Sequence, residues 1–514
     1  MARKKLYLIG IDSAPLWIIR DFRRKYSLEG FEEFIDKGVL MDMESTMPPM
    51  TGPSWPSIYT GYRPGEHGVP EFLKLEPNYT KSVVYYDPSI KPPFWDRLSR
   101  RGLRSLVVTP AMLVRPSEEP NVDMITGFPL PARFSSRAVQ TIAEKHSYSG
   151  EPEIEGKMKS GEYSLKKSAS EYLGGIEGRC AVSKELIRKN DYDMMFICFT
   201  EQDRMQHFSM NRPEWKDYVM PLYEGISGFL AWIEERARRE GATVMVVSDH
   251  GAQPIKWKFL LNGWLINRGY ATLQRSIEKG MARAGPAGSL KYSIREKVLS
   301  SVHKSGSRKV IYDKLPVQLK GVAKSALSAM LSGTSAGDYT RIHDFDYDMR
   351  RTVAFSSIAN CPVATIYIND GRFDKGVVKA GEKRALKRRI MTELLGVKDG
   401  RGRRIIINTS DADGYYGGTK LFIAPDIFAE VREGYILDAF GYLKSGGLLM
   451  PPETAKSGDH QRNGIFGAVS YGAALDRRGI ARKKLYVYNV EPTVMRHFGL
   501  APGNDRRYGA ASGE

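Results

Sequence analysis

The stretch Leu6-Tyr-Leu-Ile-Gly-Ile-Asp12 is an apolar run closed abruptly by a carboxylate. It shows no polar alternation, so it fits a strand covered on both faces, as strands of parallel sheets are. Four more runs have this character: Leu106 to Val108, Met194 to Phe199, Thr243 to Val247 and Thr365 to Ile368. Between them, Tyr172 to Arg188 and Val219 to Arg238 repeat apolar residues at three- and four-residue spacing, the mark of a helix with one buried face. The αβ rhythm predicts an α/β fold with a mostly parallel central sheet and helices on both faces.

The 514 residues are 42% hydrophobic and 26% charged, which excludes a disordered or fibrous chain. The first apolar run lacks a small-residue cleavage site after it, so it reads as a strand rather than a signal peptide. No segment reaches the roughly 18 uninterrupted apolar residues that a bilayer requires. Three scattered cysteines, Cys180, Cys198 and Cys361, make neither a disulfide framework nor a thiolate zinc site. A reducing, cytoplasmic location is therefore expected. The net charge of +18 favours anionic partners without choosing among them. No nucleic-acid motif accompanies it, and peripheral contact with an anionic membrane stays open.

The rhythm breaks between Ala271 and Tyr339, where twelve Lys or Arg face four Asp or Glu. The expected organisation is a core built from residues 1–270 and 340–506, a basic and helical inserted module over 271–339, and a frayed tail over 507–514.

Metal-ligand residue types recur where strands give way to loops or helices, the place where open α/β sheets hold their active sites. Asp12 ends the first strand. In Met47-Pro-Pro-Met-Thr51-Gly-Pro53-Ser54-Trp55, Pro53 suits a first helical turn, so Thr51 would sit just before a helix amino terminus, which favours an alkoxide and a phosphate. Asp203 and His207 follow the Met194 to Phe199 run four residues apart, on one helix face. Asp249 and His250 leave the Thr243 to Val247 strand, with Gly251 allowing a close turn. His460 lies in the polar loop Ser457-Gly-Asp459-His460-Gln-Arg462-Asn-Gly464. Three Asp, three His and one Thr offer oxygen and nitrogen donors, which suits a pair of Zn²⁺ or Mn²⁺ ions and hence phosphoryl or sulfuryl transfer.

These five blocks, in this order, resemble the alkaline phosphatase superfamily and within it the type I phosphodiesterase/nucleotide pyrophosphatase family. Ile125-Thr-Gly-Phe-Pro-Leu-Pro131, Leu260-Leu-Asn-Gly-Trp-Leu265 and Glu491-Pro-Thr493 resemble it too. The resemblance implies an alkaline-phosphatase-like core. It implies that Asp12, Thr51, Asp249 and His250 gather around one divalent ion and Asp203, His207 and His460 around a second. Thr51 would be the nucleophile, forming a phosphothreonine that water hydrolyses, and the substrate would be a small phosphodiester or nucleotide pyrophosphate.

Relatives commonly place an Asn near the nucleophile, against a non-bridging oxygen; here the nearest polar candidate is Ser54. Thr51 and Trp55 stand where sulfatases carry other residues, which disfavours that branch. Two alternatives are carried: a phosphomonoesterase or phosphotransferase at the same site, and a non-catalytic anion-binding protein. His67 is read as a structural loop histidine, and Tyr415-Tyr416-Gly-Gly as a turn. Oligomeric state cannot be read from the sequence.

Overall fold

The computed structural model describes residues 4–26, 28–128, 130–150, 154–274, 339–341, 346–357, 361–439, 441–443, 447–452, 456–472 and 474–503. The expected insertion over 271–339 and the tail over 507–514 lie almost wholly outside the described residues.

Seven strands form the central sheet: β1 (Leu6–Ile11), β2 (Val39–Glu44), β3 (Ser105–Val108), β4 (Val122–Ile125), β5 (Met194–Phe199), β6 (Thr243–Val247) and β7 (Asn463–Ser470). Their order is β2-β7-β6-β1-β5-β3-β4. Strand β7 runs antiparallel to both neighbours; every other pairing is parallel.

The period of two along each strand divides the interior into two cores. Tyr7, Ile9 and Ile11 join Met195, Ile197 and Phe199 on one face, beneath Leu16–Arg23, Glu29–Asp36, Leu165–Lys189 and Trp215–Glu240. Leu6 and Leu8 join Met194, Phe196 and Cys198 on the other, beneath Thr51–Thr60, Phe94–Ser99 and Val490–His497. Each fully buried large apolar side chain contributes about 1.5–3 kcal/mol. The two long helices cover the periodic stretches seen in the sequence. Ser164 caps the first by accepting from Lys167 N–H, and Arg188 and Lys189 face its negative C-terminal end.

One strand departs from the expectation. Val363–Ile368, which contains Thr365 to Ile368, lies outside the parallel sheet. It forms a four-stranded antiparallel sheet with Ala354–Ser356, Ile427–Val431 and Ile406–Asp411. A strand buried on both faces reads alike in either kind of sheet, and here helix Ala380–Leu395 supplies one cover. The molecule thus has a second, smaller sheet with its own core.

Candidate metal centre

Strand β1 delivers Asp12 to the carboxyl edge of the sheet, where its N–H bonds the Phe199 carbonyl at 2.8 Å. The next residue, Ser13, adopts φ 57°, a left-handed conformation rare for a residue with a side chain. That turn aims its N–H at Asp249 Oδ1, 3.2 Å away. Gln206 donates to the Ser13 carbonyl (2.9 Å), and Gln202 donates to the Asp12 carbonyl, so helix Glu201–Ser209 braces the strained turn as well as carrying Asp203 and His207. Asp249 and His250 follow β6. At Gly251 any side chain would collide with the Asn463 carbonyl, so the close turn foreseen there is required.

Thr51 is the first residue of helix Thr51–Thr60, with Met50 as its N-cap. Its Oγ1 lies 3.2 Å from His250 Nε2. His460 stands in a short strand, Gly458–Gln461, rather than in an open loop, because this segment pairs with Gly251–Pro254 and sets His460 opposite Ala252. That ladder carries His460 to the other ligands: its ring centroid is 3.9 Å from that of His250 and 5.0 Å from that of His207. All seven expected ligand residues therefore converge. His460 Nε2 reaches Asp203 Oδ1 at 4.0 Å, His207 Nε2 reaches the same oxygen at 3.4 Å, and His250 Nε2 lies 3.2 Å from Asp249 Oδ2 and 3.6 Å from Asp12 Oδ1.

The three imidazoles share one tautomer. Nδ1 of His207, His250 and His460 each faces a backbone carbonyl, of Gly458 (2.9 Å), Gly251 (3.1 Å) and Pro49 (2.9 Å). A carbonyl only accepts, so Nδ1 carries the proton and the Nε2 lone pairs point inward. There they meet the carboxylate oxygens Asp12 Oδ1, Asp203 Oδ1 and Asp249 Oδ2, none of which accepts a hydrogen bond. Lone pairs facing anionic oxygens in a buried site repel unless cations lie between them. Nδ1 held by a backbone carbonyl is also the usual way an imidazole is oriented toward a metal. The donor set fits divalent ions, grouping as Asp12, Asp249 and His250; Asp203, His250 and His460; and His207, Asp459 and His460.

Asp459 was not among the expected ligands. Its signal was its place beside His460 in the polar loop, and its buried carboxylate faces Lys456 Nζ at 3.0 Å. Burial raises Asp12, with Asp249 and Asp203 adding to the effect, and burial also raises Asp249. Asp203 is held low despite its burial, with Arg204 pairing to its Oδ2 at 2.7 Å. Burial holds His460 well below the ordinary imidazole value.

Ser54 is wholly buried. Thr46 Oγ1 donates to the Pro48 carbonyl (2.8 Å), so Ser54 gives its proton to Thr46 (2.7 Å) and accepts from Ser45 (2.9 Å). Its hydroxyl is committed inside the loop. His67 is buried against Ser57 Oγ (3.0 Å), and burial lowers its pKa to about 3, which keeps it neutral. Trp55 donates to Asp12 Oδ2 at 3.1 Å, a ligand contact that sequence spacing did not signal.

A family model described as type I phosphodiesterase / nucleotide pyrophosphatase matches residues 6–350. No curated protein matches the chain. Phosphonoacetate hydrolase from Sinorhizobium meliloti 1021 in complex with phosphonoacetate is 14% identical, with a TM-score of 0.53 over 95% of this chain and 94% of that chain. Its complex with phosphonoformate gives 14% and 0.51 over the same shares. Murine ectonucleotide pyrophosphatase/phosphodiesterase 5 is 13% identical, with a TM-score of 0.45 over 97% and 96%. With the family model spanning two thirds of its length, the chain belongs to the type I phosphodiesterase/nucleotide pyrophosphatase family and is a hydrolytic enzyme of the alkaline phosphatase superfamily.

Proposed function

We propose that the protein cleaves phosphodiester or nucleotide pyrophosphate bonds through Thr51 with the help of two divalent ions, Zn²⁺ or Mn²⁺. The observation that carries this reading is the Thr51 hydroxyl, 3.2 Å from the inward nitrogen of His250 and at the start of a helix. Asp12, Asp249, His250 and Thr51 would hold one ion, and Asp203, His207 and His460 the other. When bound, such ions lower the pKa of a hydroxyl or water and neutralise phosphoryl oxygens.

The chain's own residues do the rest. Thr51 Oγ1 attacks phosphorus in line, the bond to the leaving oxygen breaks, and that oxygen departs with a proton. The helix amino terminus, whose first N–H groups have no partner within the helix, faces the charge that builds on the phosphoryl group. Water then attacks phosphorus, the bond to Thr51 breaks, Thr51 Oγ1 takes back a proton from that water, and the half of the substrate that keeps the phosphoryl group leaves as a phosphomonoester. In this reading Ser54 holds Thr46 and thereby the loop, and touches no substrate. The reading includes a core made from residues 1–270 and 340–506. It also includes a cytoplasmic location, supported by three buried free cysteines. Among the described residues, no helix is long and apolar enough to cross a membrane.

Turnover of bis-p-nitrophenyl phosphate and p-nitrophenyl phosphate, each with Zn²⁺ and with Mn²⁺, tests the proposal. Faster hydrolysis of the diester is expected; faster hydrolysis of the monoester would make the protein a phosphomonoesterase. Activity retained in both Thr51→Ala and His460→Ala would overturn the mechanism.

A further inference from the structure

The loop that ends at Thr51 is held only in part by its own hydroxyls, those of Ser45, Thr46 and Ser54. Pro48 and Pro49 remove two N–H donors from the segment between β2 and the helix, so much of its backbone is fixed by partners outside it. Ser45 N–H bonds the Arg462 carbonyl at 3.0 Å, and His460 Nδ1 holds the Pro49 carbonyl. The centre of the loop is gripped differently. Met47 N–H donates to the Tyr415 hydroxyl (2.9 Å), and the Tyr416 hydroxyl donates to the Met47 carbonyl (3.1 Å). Both backbone polar groups of one residue are thus taken by adjacent tyrosines some 370 residues away.

These tyrosines are not a simple turn. They lie on helix Asp413–Tyr416, which follows strand Ile406–Asp411 of the smaller sheet. Their rings pack edge-on to Phe428 and Phe422, with centroids 5.4–5.5 Å apart. Lys387, nearly buried on helix Ala380–Leu395, ties the element down through Asp411 (2.7 Å) and Asp413 (2.8 Å). On the other side, a side chain at Gly65 would run into the Tyr416 carbonyl, so that glycine lets the helix seat against Pro64–His67. The hydroxyls are therefore held on a rigid mount and grip the chain at Met47, four residues before Thr51.

We propose that Tyr415 and Tyr416 are positioning residues: the smaller sheet uses their hydroxyls to fix Met47, and through it the attack geometry of Thr51. The proposal rests on Thr51 being the nucleophile. A loop freed at Met47 would still admit substrate, because neither tyrosine belongs to the ligand set. It would present Thr51 Oγ1 in the attacking geometry less often, and small misplacements of a reacting group cost on the order of 100-fold in rate.

Tyr415→Phe, Tyr416→Phe and the double variant keep the rings and remove only the hydroxyls. In the double variant, kcat for bis-p-nitrophenyl phosphate is expected to fall about 10- to 100-fold, with KM and metal content unchanged. Amide hydrogen exchange over residues 45–54 should be faster. Unchanged exchange overturns the clamp whatever the activity, and so does an unchanged kcat. A kcat that falls only in step with metal content and thermal midpoint would make the tyrosines merely structural and also overturn it. If the wild-type protein hydrolyses no ester while the exchange difference is present, the clamp on the loop stands and the Thr51 reading fails.

Discussion

The imidazoles of His250 and His460 lie with ring centroids 3.9 Å apart and planes inclined at 33°. His250 sits beside Thr51 and Asp12, while His460 reaches toward Asp203, so this contact is the shared wall of the two ligand groups. On the proposed two-ion site, His460→Ala should therefore reduce bound metal toward one ion per chain and weaken the ion that remains. Elemental analysis after gel filtration checks this, and two tightly held ions in the variant would contradict it.

Buried carboxylate oxygens without donors cost stability that bound cations would offset. Asp12, Asp203 and Asp249 each keep an inward oxygen without a hydrogen-bond donor. Ions that bind only the folded state stabilise it by about 2.7 kcal/mol per ion at a free concentration 100 times Kd. Stripping with EDTA should lower the thermal midpoint, and excess Zn²⁺ or Mn²⁺ should restore it along with activity. A midpoint indifferent to chelation would remove the case for a structural contribution from the ions.

Arg179 and Glu201 form a bidentate ion pair in the interior, both contacts at 2.7 Å and both side chains fully buried. Glu201 also accepts from Thr200 N–H (3.0 Å) and opens the helix that carries Asp203 and His207. Glu201→Gln leaves the guanidinium without its counter-charge and should cost about 3–5 kcal/mol. Replacing both by apolar residues, Arg179→Met with Glu201→Leu, should cost much less. Urea denaturation of the single and double variants distinguishes the two cases.

Glu234 is 2% exposed, and burial raises its pKa to about 8, with Glu33 adding and Arg238 opposing. The folded state therefore holds a proton that the unfolded chain, titrating near 4.5, has already released. Between those values the folded state binds more protons, so stability is greatest below the lower one and falls as pH rises through about 8. Glu234→Gln, which carries no charge at any pH, should raise the thermal midpoint at pH 9 by more than at pH 5. Equal shifts at both would show that the carboxyl is not the origin.

Most of the centre was legible because its signals are local. Asp12 follows β1 directly, Asp249 and His250 follow β6, and the four-residue step from Asp203 to His207 is one helical turn. Strand ends and helical spacing are decided by neighbours in the chain, and sequence displays neighbours. His460 showed its residue type but not its setting, since the Gly458–Gln461 strand exists only by pairing with Gly251–Pro254. Asp459 was passed over because an acid in a polar loop looks like solvent-facing surface until burial is known.

By itself the sequence determined the alternating α/β architecture and the residue types of a divalent-metal site, because apolar periodicity and donor chemistry are properties of short segments. Only the tertiary structure decided that Val363–Ile368 belongs to a separate antiparallel sheet, that the Ser54 hydroxyl turns inward, and that Tyr415 and Tyr416 hold Met47. These are choices of hydrogen-bond partner across more than sixty residues in two of the three cases, and between competing acceptors in the other. A donor's partner is fixed by which groups the packed chain brings within about 3 Å, which no local pattern encodes.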